Sequence, residues 1–247
     1  MTTSPYIDIS VTDKVMTIRM NRPEKKNAIN IDMYHTMRAA LTDAATREDV
    51  HVILLCGLED SFTVGNDLAD FNTRKDDELS PGVQFLLALH KAQKPIIAAV
   101  SGYAVGIGTT VLFHCDLAYA SDTARFRMPF INLGICPEAG STLLLPNMCG
   151  HTKAAELFMF GDFFDAAEAK ACNIINAISD KGDVTSYAHE KAALLAQKPL
   201  SALIETKRLM KATHHAATED RILEEMEIFG RLLKSEDSQN ARKAALK

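Results

Sequence analysis

Three short segments of this 247-residue chain carry residue types suited to one kind of chemistry. Two are loops rich in backbone donors, residues 65–68 and 106–108, and the third is an apolar loop holding one carboxylate, Glu138. Glycine tolerates positive φ and has no side chain to obstruct an approach, so Gly102, Gly106 and Gly108 let the backbone turn sharply and pass close to another segment. Where such a turn leads into a buried helix, unpaired N–H groups collect at one point and can hold an anion or a developing oxyanion. Two converging N–H groups plus a glutamate are the minimal kit for removing a proton α to a carbonyl: the amides hold the enolate oxygen and the glutamate takes the proton. Each part also has a plainer use. The glycines suit a tight strand-to-helix packing corner, and an acid just after a proline suits a first helical turn, where it complements the dipole.

Other chemistries fall away on their own motifs. Gly106-Ile107-Gly108 is followed by Thr109-Thr110-Val111, so a dinucleotide fingerprint fails at its third glycine, and there is no G-K-[ST] for a phosphate loop. Ser101 in Ala99-Val100-Ser101-Gly102-Tyr103 is not a nucleophile elbow. The histidines show no H-E-x-x-H, and His214 and His215 are adjacent, so no metal is expected. His114, within an apolar segment, reads as a satisfied core histidine. Cys56, Cys115, Cys136, Cys149 and Cys172 are odd in number and widely spaced, which reads as reduced and mostly buried.

Composition bounds the class of partner. With 47% hydrophobic and 24% charged residues the chain reads as globular. Its 27 basic and 32 acidic residues, net charge -5, argue against nucleic acid. No apolar run is long enough for a membrane span, and the opening MTTSPYIDIS lacks the basic and apolar parts of a signal peptide, so a cytoplasmic protein is expected.

The elements that must position these residues alternate strand and helix. Residues 6–10 and 14–20 read as a hairpin turned near Thr12-Asp13. Asn21-Arg22-Pro23-Glu24-Lys25-Lys26-Asn27 is a polar loop with three cations, either a solvated connection or a phosphate contact. Asn30 caps a helix to about residue 45 that buries Met33, Met37, Ala40, Leu41 and Ala44. Residues 52–56, 96–101, 117–120 and 174–178 read as buried strands, and 81–92 as a helix resting on Phe85, Leu86 and Leu89. Residues 61–68 have loop chemistry with apolar residues embedded, and 74–78 are a mixed charge run. Pro137-Glu138-Ala139-Gly140-Ser141 is expected to open a helix with Glu138 in its first turn. Residues 153–160 and 165–171 follow as short helices. From residue 184 onward everything is helical, and Ile222, Leu223, Met226, Phe229, Leu232 and Leu233 form an apolar stripe that needs a partner surface, this chain's own or a neighbouring subunit's. The pattern is α/β to about residue 178, with a helical region beyond it.

Four ordered motifs resemble the enoyl-CoA hydratase/isomerase (crotonase) superfamily: Asn21 to Ala28, Phe62 to Phe71, Ser101 to Gly106, and Pro129 to Ser141. The resemblance covers essentially the whole chain. It implies a spiral of ββα units over residues 1–180, a helical C-terminal region over 181–247 that trimerises, and an acyl-CoA thioester as ligand, coenzyme A being part of the substrate and no other cofactor needed. It also implies an oxyanion hole from the N–H groups of Asn66 and Ile107, with Lys25, Asn27, Val64, Asp67, Leu68, Gly106, Phe130 and Pro137 along the substrate and its CoA.

The departures narrow the activity. Where the hydratases of this superfamily carry two glutamates, this chain has Thr110 and Phe130. Residues 132–141 instead are similar to the Δ3,Δ2-enoyl-CoA isomerases, especially the peroxisomal type, whose single catalytic glutamate matches Glu138. The resemblance thus implies movement of a double bond by one proton-carrying glutamate, in a homotrimer or dimer of trimers. A hydratase or acyl-CoA hydrolase of the same fold, and an acyl-CoA-binding protein without turnover, are the alternatives. At the other end, Ala245 stands in place of the usual aromatic, and no S-K-L signal closes the chain.

Overall fold

The computed structural model describes residues 4–72, 79–179 and 183–245; the charge run at 74–78 and the side chain of Ala245 lie outside the described residues. The chain opens with an antiparallel hairpin of β1 (Ile7–Thr12) and β2 (Val15–Met20). Asp13 and Lys14, both at positive φ, make its turn, one residue later than expected. α1 (Ile31–Thr46) follows, its Asn30 cap accepting from Met33 N–H, and it buries Met33, Met37, Ala40, Leu41 and Ala44 as the spacing requires.

A β-β-α unit then repeats three times. The first is β3 (Val52–Cys56), β4 (Ser61–Thr63) and α2 (Pro81–Lys91); the second is β5 (Ile96–Val100), β6 (Tyr103–Val105) and α3 (Ile107–Thr110); the third is β7 (Leu117–Ser121), β8 (Arg125–Arg127) and α4 (Ser141–Cys149). The first strands of the units lie parallel side by side as β3-β5-β7, and the second strands do the same as β4-β6-β8 in a separate sheet. Each turn of this spiral therefore sets one strand in each sheet. α5 (His151–Phe160), β9 (Phe163–Asp165), α6 (Ala166–Ala171) and β10 (Ala177–Ser179) complete the two sheets, ordered β1-β2-β3-β5-β7-β10 and β4-β6-β8-β9.

Four helices end the chain: α7 (Val184–Ala196), α8 (Leu200–Lys211), α9 (His215–Leu233) and α10 (Glu236–Ala245). Strand β3 is apolar throughout because both its faces are covered: Val52, Leu54 and Cys56 pack with Val184, Ala188 and Ala192 of α7, while Ile53 and Leu55 enter the main core. Strands β4, β6, β8 and β9 were not expected, residues 61–63 reading as loop, and β10 begins at Ala177 rather than at 174. At three residues each, they are too short to show a period of two.

Helix α9 lies against α2 and α4, and its apolar stripe, apart from exposed Leu223, finds its partner in this chain. Ile222, Phe229 and Leu233 are buried, and with Met226 they line a cavity. The stripe therefore gives no support to an assembly surface. Large exposed apolar side chains sit elsewhere, among them Ile131, Met159, Phe160 and Phe163. Among the described residues, no helix is long and apolar enough to cross a membrane.

Candidate active site

Two loops meet because glycine lets them. Gly65 has φ +93, and a Cβ there would stand 2.8 Å from the Val105 carbonyl oxygen, so only a residue without a side chain lets the segment after β4 lie against the end of β6. Gly106, at φ 58 and ψ -120, then turns the chain from β6 into α3. The turn aims specific N–H groups. Ile29 N–H donates to Gly65 O and Asp67 N–H to Ile29 O, an extended pairing in which the intervening Asn66 N–H faces the other way. Gly106 N–H donates to Arg127 O, but Ile107 opens α3 and its N–H has no partner within the helix. Among the described residues, neither the Asn66 nor the Ile107 N–H has an acceptor. Both residues line one cavity of about 410 Å³, and Glu138 lines it too.

The loop that carries Asn66 is braced from two sides. Arg22 Nη1 donates to Asp67 Oδ2 at 2.8 Å and to Ala28 O at 2.9 Å. Burial pushes the Asp67 carboxyl up, but the bonds from Arg22 and Ala69 N–H outweigh it, and the group ends below its ordinary range. On the cavity side, Tyr34 of α1 donates its hydroxyl to Asn66 Oδ1 at 2.6 Å. Burial, then the charges of Glu138 and Asp70, push the Tyr34 phenol well above its ordinary value, so it remains a donor.

Glu138 does not lie in a helix. α4 begins only at Ser141, and Ala139 and Gly140 before it both stand at φ 68, so Glu138 sits on a left-handed turn and receives no first-turn dipole. This corrects the expected helix opening at Pro137: two successive left-handed residues cannot continue a right-handed helix. The turn is tied down by neighbours. His114 Nε2 pairs with Ala139 O at 2.7 Å, and Glu225 of α9 accepts from Gly140 N–H at 2.6 Å and from Thr142 N–H at 2.9 Å. Burial holds His114 down to about 3, so it is neutral and donates; it is the core histidine expected of it. Thr110 donates its hydroxyl to Glu138 Oε1 at 2.5 Å. Burial pushes the Glu138 carboxyl up to about 8, with the charge of Glu225 adding to the rise and the Thr110 bond opposing it. Glu138 is thus mostly protonated at neutral pH, yet poised to give up that proton.

Of the residues expected at the site, Asn66, Asp67, Ile107 and Glu138 come together on the cavity. Asn27 is corrected to a structural brace: it is fully buried, its amide nitrogen is spent on Met20 O, Ser61 O and Phe62 O, and its oxygen accepts from Arg22 N–H. Phe130 is buried in the core rather than on the cavity wall, and Pro137 lines a second, neighbouring cavity of about 720 Å³. Lys25 is exposed in a short 3₁₀ turn, while Val64 and Leu68 are half-buried beside Asn66 and Asp67, and none of these three, nor Gly106, lines the cavity. Tyr34, Asp70 and Glu225 were missed. A signal existed for Glu225, an acid at i+3 from Ile222 and i-4 from Phe229 on the apolar face of its helix, where a carboxylate must find donors.

Among the described residues, one group of three could approach a metal: His90, His215 and Glu219. Within it His90 Nε2 donates to His215 O, the two rings stack at 4.3 Å, and Lys91 Nζ holds Glu219 at 2.6 Å.

Comparison with known proteins places this geometry. The family model described as enoyl-CoA hydratase/isomerase matches residues 10–246. Rat enoyl-CoA delta isomerase 2 is 33% identical over 83% of this chain, and the chain spans about half of that relative, 55% of its length. The 2,3-dehydroadipyl-CoA hydratase of Escherichia coli is 29% identical over 93% of this chain and 91% of its own. Among solved structures, Pseudomonas aeruginosa OdaA superimposes with a TM-score of 0.94 at 42% identity, covering 98% of this chain and 99% of that one. With its spiral of β-β-α units, and with two free amides and a half-buried glutamate on one cavity, the chain belongs to the enoyl-CoA hydratase/isomerase family and has the crotonase fold.

Proposed function

We propose that this protein is a Δ3,Δ2-enoyl-CoA isomerase in which Glu138 carries a proton from C2 to C4 of a 3-enoyl thioester. The observation that carries the reading is the half-buried Glu138 carboxylate, with its pKa raised to about 8, in the same cavity as the unpartnered N–H groups of Asn66 and Ile107. Ionised Glu138 takes a proton from C2, and the electron pair moves onto the thioester oxygen as a dienolate. The two amides stabilise that oxygen more than the neutral carbonyl, so they lower the barrier rather than merely bind substrate. Protonated Glu138 then delivers the proton at C4 and the double bond settles between C2 and C3. Nothing is oxidised or reduced, and the step calls for no cofactor beyond the coenzyme A of the substrate. Thr110 and Phe130, where hydratases carry carboxylates, support isomerisation over addition of water. Leu86, Met226 and Phe229 supply apolar wall for an acyl chain.

A hydratase reading has one observation in its favour. Asp70 lines the same cavity, and Tyr34 feels the charge of both Asp70 and Glu138, so a second acid borders the space where a substrate would lie. Incubation with 3-enoyl-CoA and 2-enoyl-CoA thioesters separately, following isomer, hydrate and free CoA, decides among the readings. Rapid isomerisation with slow hydration is the expected result. Hydration at a comparable rate supports the hydratase, free CoA a hydrolase, and no product with retained binding a protein that holds acyl-CoA without turnover.

For assembly we propose a homotrimer or a dimer of trimers, supported by the family membership and by exposed Met159, Phe160 and Phe163. A stable 27.1 kDa monomer in light scattering at micromolar concentration is the contrary result.

A further inference from the structure

Behind the turn that presents Glu138 sits a second, buried carboxylate. Glu225 comes from the middle of α9, and all of its carboxylate's bonds run to the segment just after Glu138: Oε2 accepts from Gly140 N–H at 2.6 Å, and Oε1 accepts from Thr142 N–H at 2.9 Å and Thr142 Oγ1 at 2.6 Å. Arg221, one helical turn earlier on α9, donates from Nη1 to Thr142 Oγ1 at 3.1 Å. That hydroxyl therefore accepts from the guanidinium and gives its own hydrogen to the carboxylate. Two backbone donors and a polarised hydroxyl leave Glu225 nothing to donate to, which is the hydrogen-bond pattern of a carboxylate rather than a carboxylic acid. A remote helix has no packing need for a buried anion, and a buried carboxylate is costly unless its lone pairs are filled. Here they are filled only by the 140–142 segment.

We propose that Glu225 is a positioning residue for Glu138: as a buried anion on α9 it fixes the 139–142 turn and presents a negative charge to the Glu138 carboxyl. The proposal rests on the reading of Glu138 as the proton carrier. Its two parts separate cleanly. Tethering Gly140 and Thr142 stabilises Ala139 and Gly140 in the left-handed conformation that aims Glu138 into the cavity, a conformation that costs a non-glycine residue such as Ala139 energy. The charge acts through space, raising the basicity of Glu138 together with burial and against the Thr110 bond. The other groups facing the pair are Tyr34 and Asp70 on the cavity side, Cys136 on the loop of Glu138, and Arg221 beside Glu225. Burial leaves the Glu225 carboxyl above its ordinary value, with the Thr142 and Gly140 donors and the charge of Arg221 opposing that rise.

The test is a titration of the Glu138 carboxyl that needs no turnover, by carbon NMR of glutamate-labelled protein, with Glu138→Gln identifying the signal. In the wild type the signal titrates near about 8. In Glu225→Gln, which keeps the shape and removes the charge, the midpoint falls by about one pH unit, so ~5-fold more of Glu138 is ionised at neutral pH. The acid limb of the isomerase rate moves down with it, while the plateau rate drops as the turn loosens. A midpoint unmoved in folded Glu225→Gln overturns the charge role, whatever happens to the rate. Should that variant not fold, Thr142→Val keeps the charge and both backbone donors but removes the hydroxyl. Amide exchange at Gly140 should then quicken several-fold and kcat fall with KM unchanged, and Thr142→Ser should restore both. Unchanged exchange at Gly140 in Thr142→Val overturns the tether. An inactive wild type whose Glu138 still titrates as described removes the isomerase reading and leaves the placement of Glu225 standing.

Discussion

A base kept protonated by burial should weaken the fold that holds it, and Glu138→Gln measures by how much. The Glu138 carboxyl sits at about 8 in the folded chain against an ordinary 4.5. Below about pH 4.5 both folded and unfolded chains carry the proton and the site costs nothing through ionisation. Between about 4.5 and 8 the unfolded chain releases its proton while the folded one keeps it, so stability falls as pH rises, by at most ~1.4 kcal/mol per unit, and levels off above about 8. The gap of about 3.5 units sets a ceiling of ~5 kcal/mol, and relaxation of the cavity and entry of water bring the expected loss to ~3 kcal/mol. The substituted amide has no proton to lose and can still accept from Thr110. The variant should therefore match the wild type within ~1 kcal/mol at pH 4 and exceed it by ~3 kcal/mol at pH 9, roughly 6–12 °C in Tm for a chain of this length. Urea unfolding at pH 4, 7 and 9 with unchanged slope is the assay. A difference between the two proteins that is the same at all three pH values refutes the argument, because it would mean that the buried carboxyl titrates no differently from an exposed one.

The same substitution should lower kcat by about 10² to 10⁴, the usual contribution of a positioned general base, with KM little changed. In the wild type kcat/KM should rise with pH to a plateau above about 8, since only ionised Glu138 can take the C2 proton; a plateau already reached at pH 6 contradicts this. Tyr34→Phe removes the 2.6 Å bond to Asn66 Oδ1 and should cut kcat by about tenfold through a loosened Asn66 amide, read by steady-state kinetics beside an unchanged Tm within a few degrees. Gly65→Ala forces a side chain to φ +93 and to within 2.8 Å of Val105 O, so thermal unfolding should show a loss of ~1–3 kcal/mol along with the activity.

What could be read from the sequence was whatever a local signal encodes. The cap at Asn30, the buried faces of α1 and α2, and the apolar strands at 52–56 and 96–100 all follow from period and punctuation, and the structure has them. The donor loops could be read for the same reason, since Gly65 and Gly106 mark conformations that few other residues adopt. What could not be read was set by residues far apart in the chain. Asn27 read as part of a polar loop, solvated or against a phosphate, and by resemblance lay along the substrate, yet it is fully buried because the carbonyls of Met20, Ser61 and Phe62 converge on its amide from segments up to 35 residues away. Tyr34 read as one more member of a helix until Asn66 was brought to its hydroxyl from 32 residues away.

Glu138 shows most directly why the pattern alone misleads. Pro137 followed by an acid and then by Gly140 and Ser141 has the composition of a helix start, and a carboxylate in a first turn would be stabilised as an anion. Position in the fold reverses the expectation. His114 from one side and Glu225 from the other hold Ala139 and Gly140 left-handed, which delays the helix to Ser141 and leaves Glu138 outside its dipole. Burial then dominates, and the acid becomes a stronger base than any local reading assigns to it. The residue that does the most to hold that turn lies more than 80 positions away, on a helix whose apolar stripe suggested a contact with another subunit. The stripe and the buried acid serve one purpose on this account: the apolar residues of α9 line the cavity, and Glu225 fixes the turn that aims a base into it.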